Sequence, residues 1–235
     1  VSDRLLLVRH GLTDWNREGR FQGHLDPPLS QEGLAQAVLL ADRLAASARD
    51  RPMRLVSSSQ SRALETTQAI RAALDDVNGA DPTGEIESEP GLIELGQGDW
   101  EGKTHNELER TDAARYAAWR EAGGNRQPPG GEPIEPALAR VTRAVGAAVA
   151  SSERSGAWPL CLVAHGGSLR LAASVLLELD LAHAWELEMD NACLCILDRT
   201  DTSAPWRLVT WNDTTHLLGR APVHAGEEEG EPLAL

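Results

Sequence analysis

Short aliphatic runs alternate along this chain with stretches of helical periodicity, and that alternation restricts the fold more than any other feature. Arg4 to Val8, Met53 to Val56 and Leu160 to Ala164 are apolar runs of strand length, each bounded by polar or glycine-containing sequence. An unbroken aliphatic run belongs to a strand covered on both faces, as in a parallel sheet. Between the first two, Ser30 is placed to cap a helix with Leu34, Val38, Ala41, Leu44 and Ala45 on one face. After Ser57-Ser58-Ser59, Ala63, Thr66, Thr67, Ile70 and Leu74 mark a second helix. Asn-Gly and Asp-Pro signals make 75–90 an exposed loop, and 91–102 is too glycine-rich for a regular element. Thr104 with Glu107 forms a capping box that opens a helix to about Glu121, before a Gly/Pro-rich break at 123–133. Leu138, Val141, Val145 and Val149 give another amphipathic helix, and Gly166-Gly167-Ser168 opens one through Leu179. Cys193 to Leu197 and Arg207 to Trp211 close the pattern as strands. The expectation is a three-layer α/β/α sandwich with a mostly parallel central sheet and a helical lid inserted at about 75–135. One domain would span 1–221, followed by an acidic, mobile tail at 222–235.

Composition narrows the function classes. With 235 residues and 41% hydrophobic content, the chain can bury a sizeable core. No stretch reaches the roughly 18 apolar residues of a membrane span, and the opening V-S-D-R-L-L-L-V-R-H is too short in its apolar part for a signal peptide. Cys161, Cys193 and Cys195 lie in apolar runs without metal-type spacing, which suits buried thiols in a reducing, cytoplasmic setting. The net charge of −14 repels nucleic acid and anionic membranes, so neither is an expected partner. A site for an anion must therefore build its own positive pocket. All 22 basic residues but Lys103 are arginine, the side chain best suited to bidentate phosphate binding.

Ligands of open α/β sheets bind beyond the carboxyl ends of the strands. Two strand ends here carry the same pair, His10-Gly11 and His165-Gly166, which sets imidazoles at the sheet rim. The glycines would let main-chain N–H groups approach a bound anion. A third strand end places Arg62 in the first turn of a helix, where it opposes the helix dipole unless an anion binds there.

The segment R-H-G-L-T-D-W-N at 9–16 resembles the motif of the histidine phosphatase superfamily, whose phosphoglycerate mutase-like members open with R-H-G-x-T-x-x-N. The likeness continues through G-R-F-Q-G-H-L-D-P-P-L-S-Q-E-G at 19–33, S-S-x-x-S-R-A-x-x-T at 57–66, G-L-I-E-L-G-Q-G-D-W-E-G at 91–102 and V-A-H-G-G at 163–167. The resemblance implies His10 as nucleophile, with Arg9, Arg62 and His165 around the phosphoryl group and Asn16 as an added donor. It implies Glu94 as proton donor, with Asp99 and Glu101 as competing carboxylates, and like charge from bound phosphate would favour its protonated form. Phe21, Gln22, Gly23 and Gly166 are carried over as phosphate- or substrate-binding positions. Arginines that supply the charge make a metal unnecessary, and no cofactor is implied.

Within the family, two activities compete. Mutases carry E-R-x-Y-G in the acid block, paired lid arginines and H-G-N after the second histidine. Here the block has Gln97 at the tyrosine position, Arg120 and Arg126 are separated, and His165 is followed by Gly166-Gly167. These departures favour water as acceptor, and so a phosphatase of a small phosphoester over a mutase or a catalytically weak binder. The R-F-Q-G-H-L-D segment, the A-W-R-E of the lid and W-R-L-V-T-W-N-D at 206–213 look similar to actinobacterial glucosyl-3-phosphoglycerate phosphatases. Trp100, Trp119, Trp185, Trp206 and Trp211 are core or lid fillers before they are a sugar-stacking face. Oligomeric state stays open, a homodimer included.

Overall fold

The structure, a computed structural model, describes residues 3–48, 53–78, 85–122 and 127–218. The acidic tail expected from 222 and the lid residue Arg126 lie outside the described residues. Six strands form one sheet: β1 (Asp3–Arg9), β2 (Arg54–Ser58), β3 (Glu87–Glu89), β4 (Leu160–Ala164), β5 (Leu194–Arg199) and β6 (Arg207–Asp213). Their order is β3-β2-β4-β1-β5-β6. The β3–β2, β2–β4 and β4–β1 pairs are parallel, and the β1–β5 and β5–β6 pairs antiparallel. This is the mostly parallel α/β architecture that the alternating sequence pattern implies.

Strand geometry explains the continuous aliphatic runs, because successive side chains point to opposite faces. Leu5 and Leu7 of β1 join Leu160 and Leu162 of β4 in one core, which is closed by α6 (Ile134–Ser155) and α7 (Gly166–Leu176). Leu6, Val8, Cys161 and Val163 face the other way, onto α2 (Gln31–Ser47) and α3 (Ser61–Asn78). Truncating any of these leucines to alanine would cost about 2–5 kcal/mol, through lost transfer energy plus the cavity left behind.

Four local expectations are corrected. In α2 the buried stripe is Ala37, Leu40, Ala41, Leu44 and Ala45, whereas Leu34 and Val38 are 47% and 52% exposed. Two apolar stripes compete on this helix, and the alanine-containing one allows the closer approach. Residues 75–90 are not one loop, since α3 runs on to Asn78 and β3 adds an edge strand beside β2. The helix expected from Thr104 to Glu121 is two, α4 (His105–Thr111) and α5 (Ala113–Glu121), and the final part of α7 stops at Leu176. Asp112 makes the break with φ −145°, its carboxylate accepting from Trp100 Nε1 (2.8 Å) and Arg115 Nε (2.7 Å). The kink lets Tyr116 and Trp119 close on Trp100, Leu108 and Phe21, a small aromatic core separate from the two against the sheet. The remaining short helices are α1 (Asp14–Arg17) and α8 (Leu181–Trp185).

Candidate active site

Register brings the two histidines together. Arg9 pairs with Ala164 across β1 and β4, and His10 N–H continues that ladder to the Ala164 carbonyl at 3.0 Å. His10 and His165 therefore leave adjacent strand ends with ring centroids 5.1 Å apart. Both are buried. On the other side of β4, β2 delivers Ser58 and the start of α3 delivers Arg62.

Hydrogen bonding fixes where the imidazole protons sit. His10 Nδ1 lies 2.7 Å from the Gly11 carbonyl, which can only accept, so Nδ1 carries the proton and Nε2 keeps its lone pair. His165 Nε2 lies 2.8 Å from Ser58 Oγ, which already accepts from Gln60 N–H at 3.3 Å. Among the described residues the Ser58 hydroxyl has no other acceptor, so its proton goes to Nε2 and the ring proton is placed on Nδ1. That Nδ1 is one of the buried polar atoms without a partner among the described residues, along with Arg9 Nε and Arg62 Nε. Buried donors left unpaired are costly, and three of them at one rim describe a cradle for an anion.

The charges are arranged to suit. Arg9 is held by the Met189 carbonyl, and burial pulls its pKa down. Arg62 is wholly buried and donates to the carbonyls of Leu25 (3.0 Å) and Gly23 (3.2 Å). Burial lowers its pKa to about 10, still well above neutral pH. Burial first, then the Arg62 cation, drives His10 and His165 well below the ordinary histidine value. Both imidazoles are consequently neutral at physiological pH.

Glu94 is buried, and main-chain N–H groups of Leu95 (2.9 Å), Gly167 (3.2 Å) and Ser168 (3.1 Å) hold its carboxylate at the start of α7. Of the competing carboxylates, Glu101 is engaged by the N–H groups of His24 and Gln97, each at 2.9 Å. Asp99 is 61% exposed and faces Arg115. Glu94 is thus the carboxylate that joins the arginine–histidine cluster.

Glycine at 166 and 167 also leaves space for charged side chains. A Cβ on Gly167 would lie 2.6 Å from Glu94 Oε1, and one on Gly166 3.2 Å from Arg170 Nη1 and 3.7 Å from Arg9 Cζ. The Gly167 N–H serves Glu94 rather than an external anion. Gly23, at φ +53°, lets its carbonyl reach Arg62 and Gln60. Gln22 is buried and accepts from Thr13 Oγ1 at 3.1 Å. Asn16 Oδ1 is taken by Thr13 and Asn191, which leaves its NH₂ group as the available donor. The Phe21 ring is buried against Trp100, His105 and Trp119, so it supports the loop from behind. Trp185, Trp206 and Trp211 pack against the α6/α7 core.

Sequence reasoning missed four supports. Asn191 Nδ2 donates to the His10 carbonyl (3.2 Å) and to Asn16 (3.1 Å). Gln60 Oε1 accepts from Glu94 N–H at 2.8 Å while its Nε2 donates to Gly23. Arg140 on α6 holds the carbonyls of Gly91, Ile93 and Glu94 and pairs with Glu132. Arg170, one turn into α7, is 6% exposed and adds a third cation beside Arg9. Gln60 lies inside a quoted motif, whereas the other three carry no spacing signal. Among the described residues, no group of three or more His, Cys, Asp or Glu is placed to hold a metal, and no helix is long and apolar enough to cross a membrane.

The family model of the histidine phosphatase superfamily (branch 1) matches residues 5–214. The glucosyl-3-phosphoglycerate phosphatase of Mycobacterium tuberculosis is 34% identical over 221 residues, covering 89% of this chain and 94% of the relative. The adenosylcobalamin/alpha-ribazole phosphatase of Salmonella typhimurium is 33% identical over 195 residues, covering 83% of this chain and 90% of the relative. A solved mycobacterial glucosyl-3-phosphoglycerate phosphatase, in complex with VO3, superposes with a TM-score of 0.75 at 33% identity, covering 89% of this chain and 99% of that one. With those matches and this arrangement of histidines and arginines, the chain belongs to the histidine phosphatase superfamily, branch 1.

Proposed function

We propose that this protein is a phosphomonoesterase for a small phosphorylated metabolite, a sugar phosphate or phosphoglycerate derivative, working through a phosphohistidine on His10. One observation carries the reading: neutral His10 lies beside His165 and within electrostatic reach of Arg9 and Arg62, and Arg9, Arg62 and His165 each keep a buried nitrogen without a partner among the described residues. Nε2 attacks phosphorus in line as the ester P–O bond breaks, and Glu94 gives a proton to the departing alkoxide. Arg9, Arg62 and His165 Nδ1–H balance the charge on the phosphoryl oxygens, which is the main demand of phosphoryl transfer. Glu94, now a carboxylate, takes a proton from water. That water attacks phosphorus, the P–N bond breaks, and His10 returns to its neutral form.

Water as acceptor is supported by the departures from the mutase pattern, Gly167 where the mutases carry asparagine and Gln97 where they carry tyrosine. The named substrates of the relatives support the metabolite class, and the three unpaired, buried thiols support a reducing, cytoplasmic setting. The test is phosphate release from p-nitrophenyl phosphate and from 3-phosphoglycerate by wild-type and His10→Ala proteins. The wild type should release phosphate from both and form no 2-phosphoglycerate, and His10→Ala should be inactive. Conversion of 3-phosphoglycerate to 2-phosphoglycerate would overturn the reading.

A further inference from the structure

Arg170 is a buried cation that forms no direct ion pair among the described residues of an acidic protein. Its Nε donates to the Leu187 carbonyl at 2.8 Å, and none of the hydrogen bonds or ion pairs among the described residues engages its two terminal amino groups. Other arginines of the described chain are spent on carboxylates: Arg4 on Asp198, Arg54 on Glu87, Arg140 on Glu132, Arg199 on Asp3 and Glu153. Arg170 is 6% exposed, so its charge is largely desolvated, burial lowers its pKa to about 10, and Glu94 and Glu188 act on it from nearby without pairing directly. A buried charge without a direct partner is costly, and an anionic ligand would relieve that cost.

Its position says which ligand. The Cβ sites of the neighbouring residues Gly166 and Gly167 lie 3.2 Å from Arg170 Nη1 and 2.6 Å from Glu94 Oε1. Arg170 therefore stands one turn into α7, next to Arg9 and within electrostatic reach of Glu94, the carboxylate that serves the departing oxygen.

We propose that Arg170 binds a second anionic group of the substrate, a carboxylate on the leaving-group side of the ester, and so selects phosphorylated hydroxy acids over uncharged alcohols' phosphates. The inference rests on the phosphomonoesterase reading for its orientation. Planar guanidinium and planar carboxylate pair through two parallel N–H···O bonds, which phosphate esters of simple polyols cannot supply at that position.

The experiment compares 3-phosphoglycerate, glycerol 3-phosphate and p-nitrophenyl phosphate with wild-type, Arg170→Gln and Arg170→Lys proteins. In Arg170→Gln, kcat/KM for 3-phosphoglycerate should fall about tenfold to a hundredfold, chiefly through KM, as expected for one lost charge-assisted pair. The other two substrates should stay within about threefold, and Arg170→Lys should lie between. Equal losses on all three substrates would make Arg170 a support for Arg9 and overturn the proposal, as would no loss on 3-phosphoglycerate. A second measurement needs neither turnover nor a change at Arg170. By calorimetry, His10→Asn protein should bind 3-phosphoglycerate at least about tenfold more tightly than glycerol 3-phosphate. Equal affinities would overturn the proposal. Absent turnover with that preference intact would sink the phosphomonoesterase reading alone.

Discussion

Gly167 lacks a side chain where Glu94 needs the space, and that single contact ties a glycine to the acid–base chemistry. With a Cβ only 2.6 Å from Oε1, Gly167→Ala must push the carboxylate off its N–H donors. Both Gly167→Ala and Glu94→Gln should cut kcat/KM for an alkyl phosphate by about 10²–10⁴-fold, the usual worth of general acid catalysis. For p-nitrophenyl phosphate kcat/KM should fall by less than about tenfold, because a phenolate leaves without a proton. The ratio of kcat/KM on the two substrates reads the leaving-group step alone, whereas kcat also includes the water step common to both, and equal losses in kcat/KM would remove Glu94 from the acid role. At this scale His10, Arg62, Glu94 and His165 were legible, since each sits in a compact motif at an element end. Asn191 and Arg140 were not, because a side chain that props a carbonyl from a distant element leaves no local pattern.

Among the elements, α4 and α5 behave as a unit with a core of their own. Trp119 stacks with Tyr116 at 5.9 Å between centroids and meets Phe21 edge-on at 5.4 Å. The loop that presents Gln22 and Gly23 is thereby fastened to α4 and α5. Trp119→Ala should destabilise the protein by about 3–5 kcal/mol, measured by urea denaturation, and raise KM by loosening that loop. A loss below about 1 kcal/mol would show that the ring is not a structural anchor. Element existence was readable from periodicity, but element ends and faces were less so. The capping box at Thr104 marked the start of α4, yet nothing local announced the break at Asp112, which serves the Trp100 indole. In α2 the choice between two apolar stripes was settled by packing against α3 and the sheet, which the sequence alone does not rank.

For the molecule as a whole, burial of neutral histidines couples stability to pH. His10 and His165 are held well below the ordinary value of 6.5, and His105 falls to about 4, in each case chiefly by burial. In the unfolded chain all three take up protons as pH falls below about 6.5, whereas the folded state resists. The unfolded state then binds more protons, so stability is full above about pH 6.5 and declines below it. Each such histidine contributes at most about 1.4 kcal/mol per pH unit. Urea midpoints should fall between pH 7 and pH 5, and a flat profile over that interval would contradict neutral burial. The sheet order behind this arrangement was only partly legible: strand and helix alternation gave the parallel core. That β4 lies between β1 and β2 depends on long-range pairing.

Phosphoryl transfer to His10 is the central claim, and trapping the intermediate tests it most directly. Protein mixed with a ³²P-labelled phosphoester and quenched within a turnover should carry label that is acid-labile and alkali-stable. Peptide mapping should place that label on His10, and His10→Asn should abolish it together with phosphate release. Phosphate release by His10→Asn at the wild-type rate, or label found on another side chain, would contradict the account.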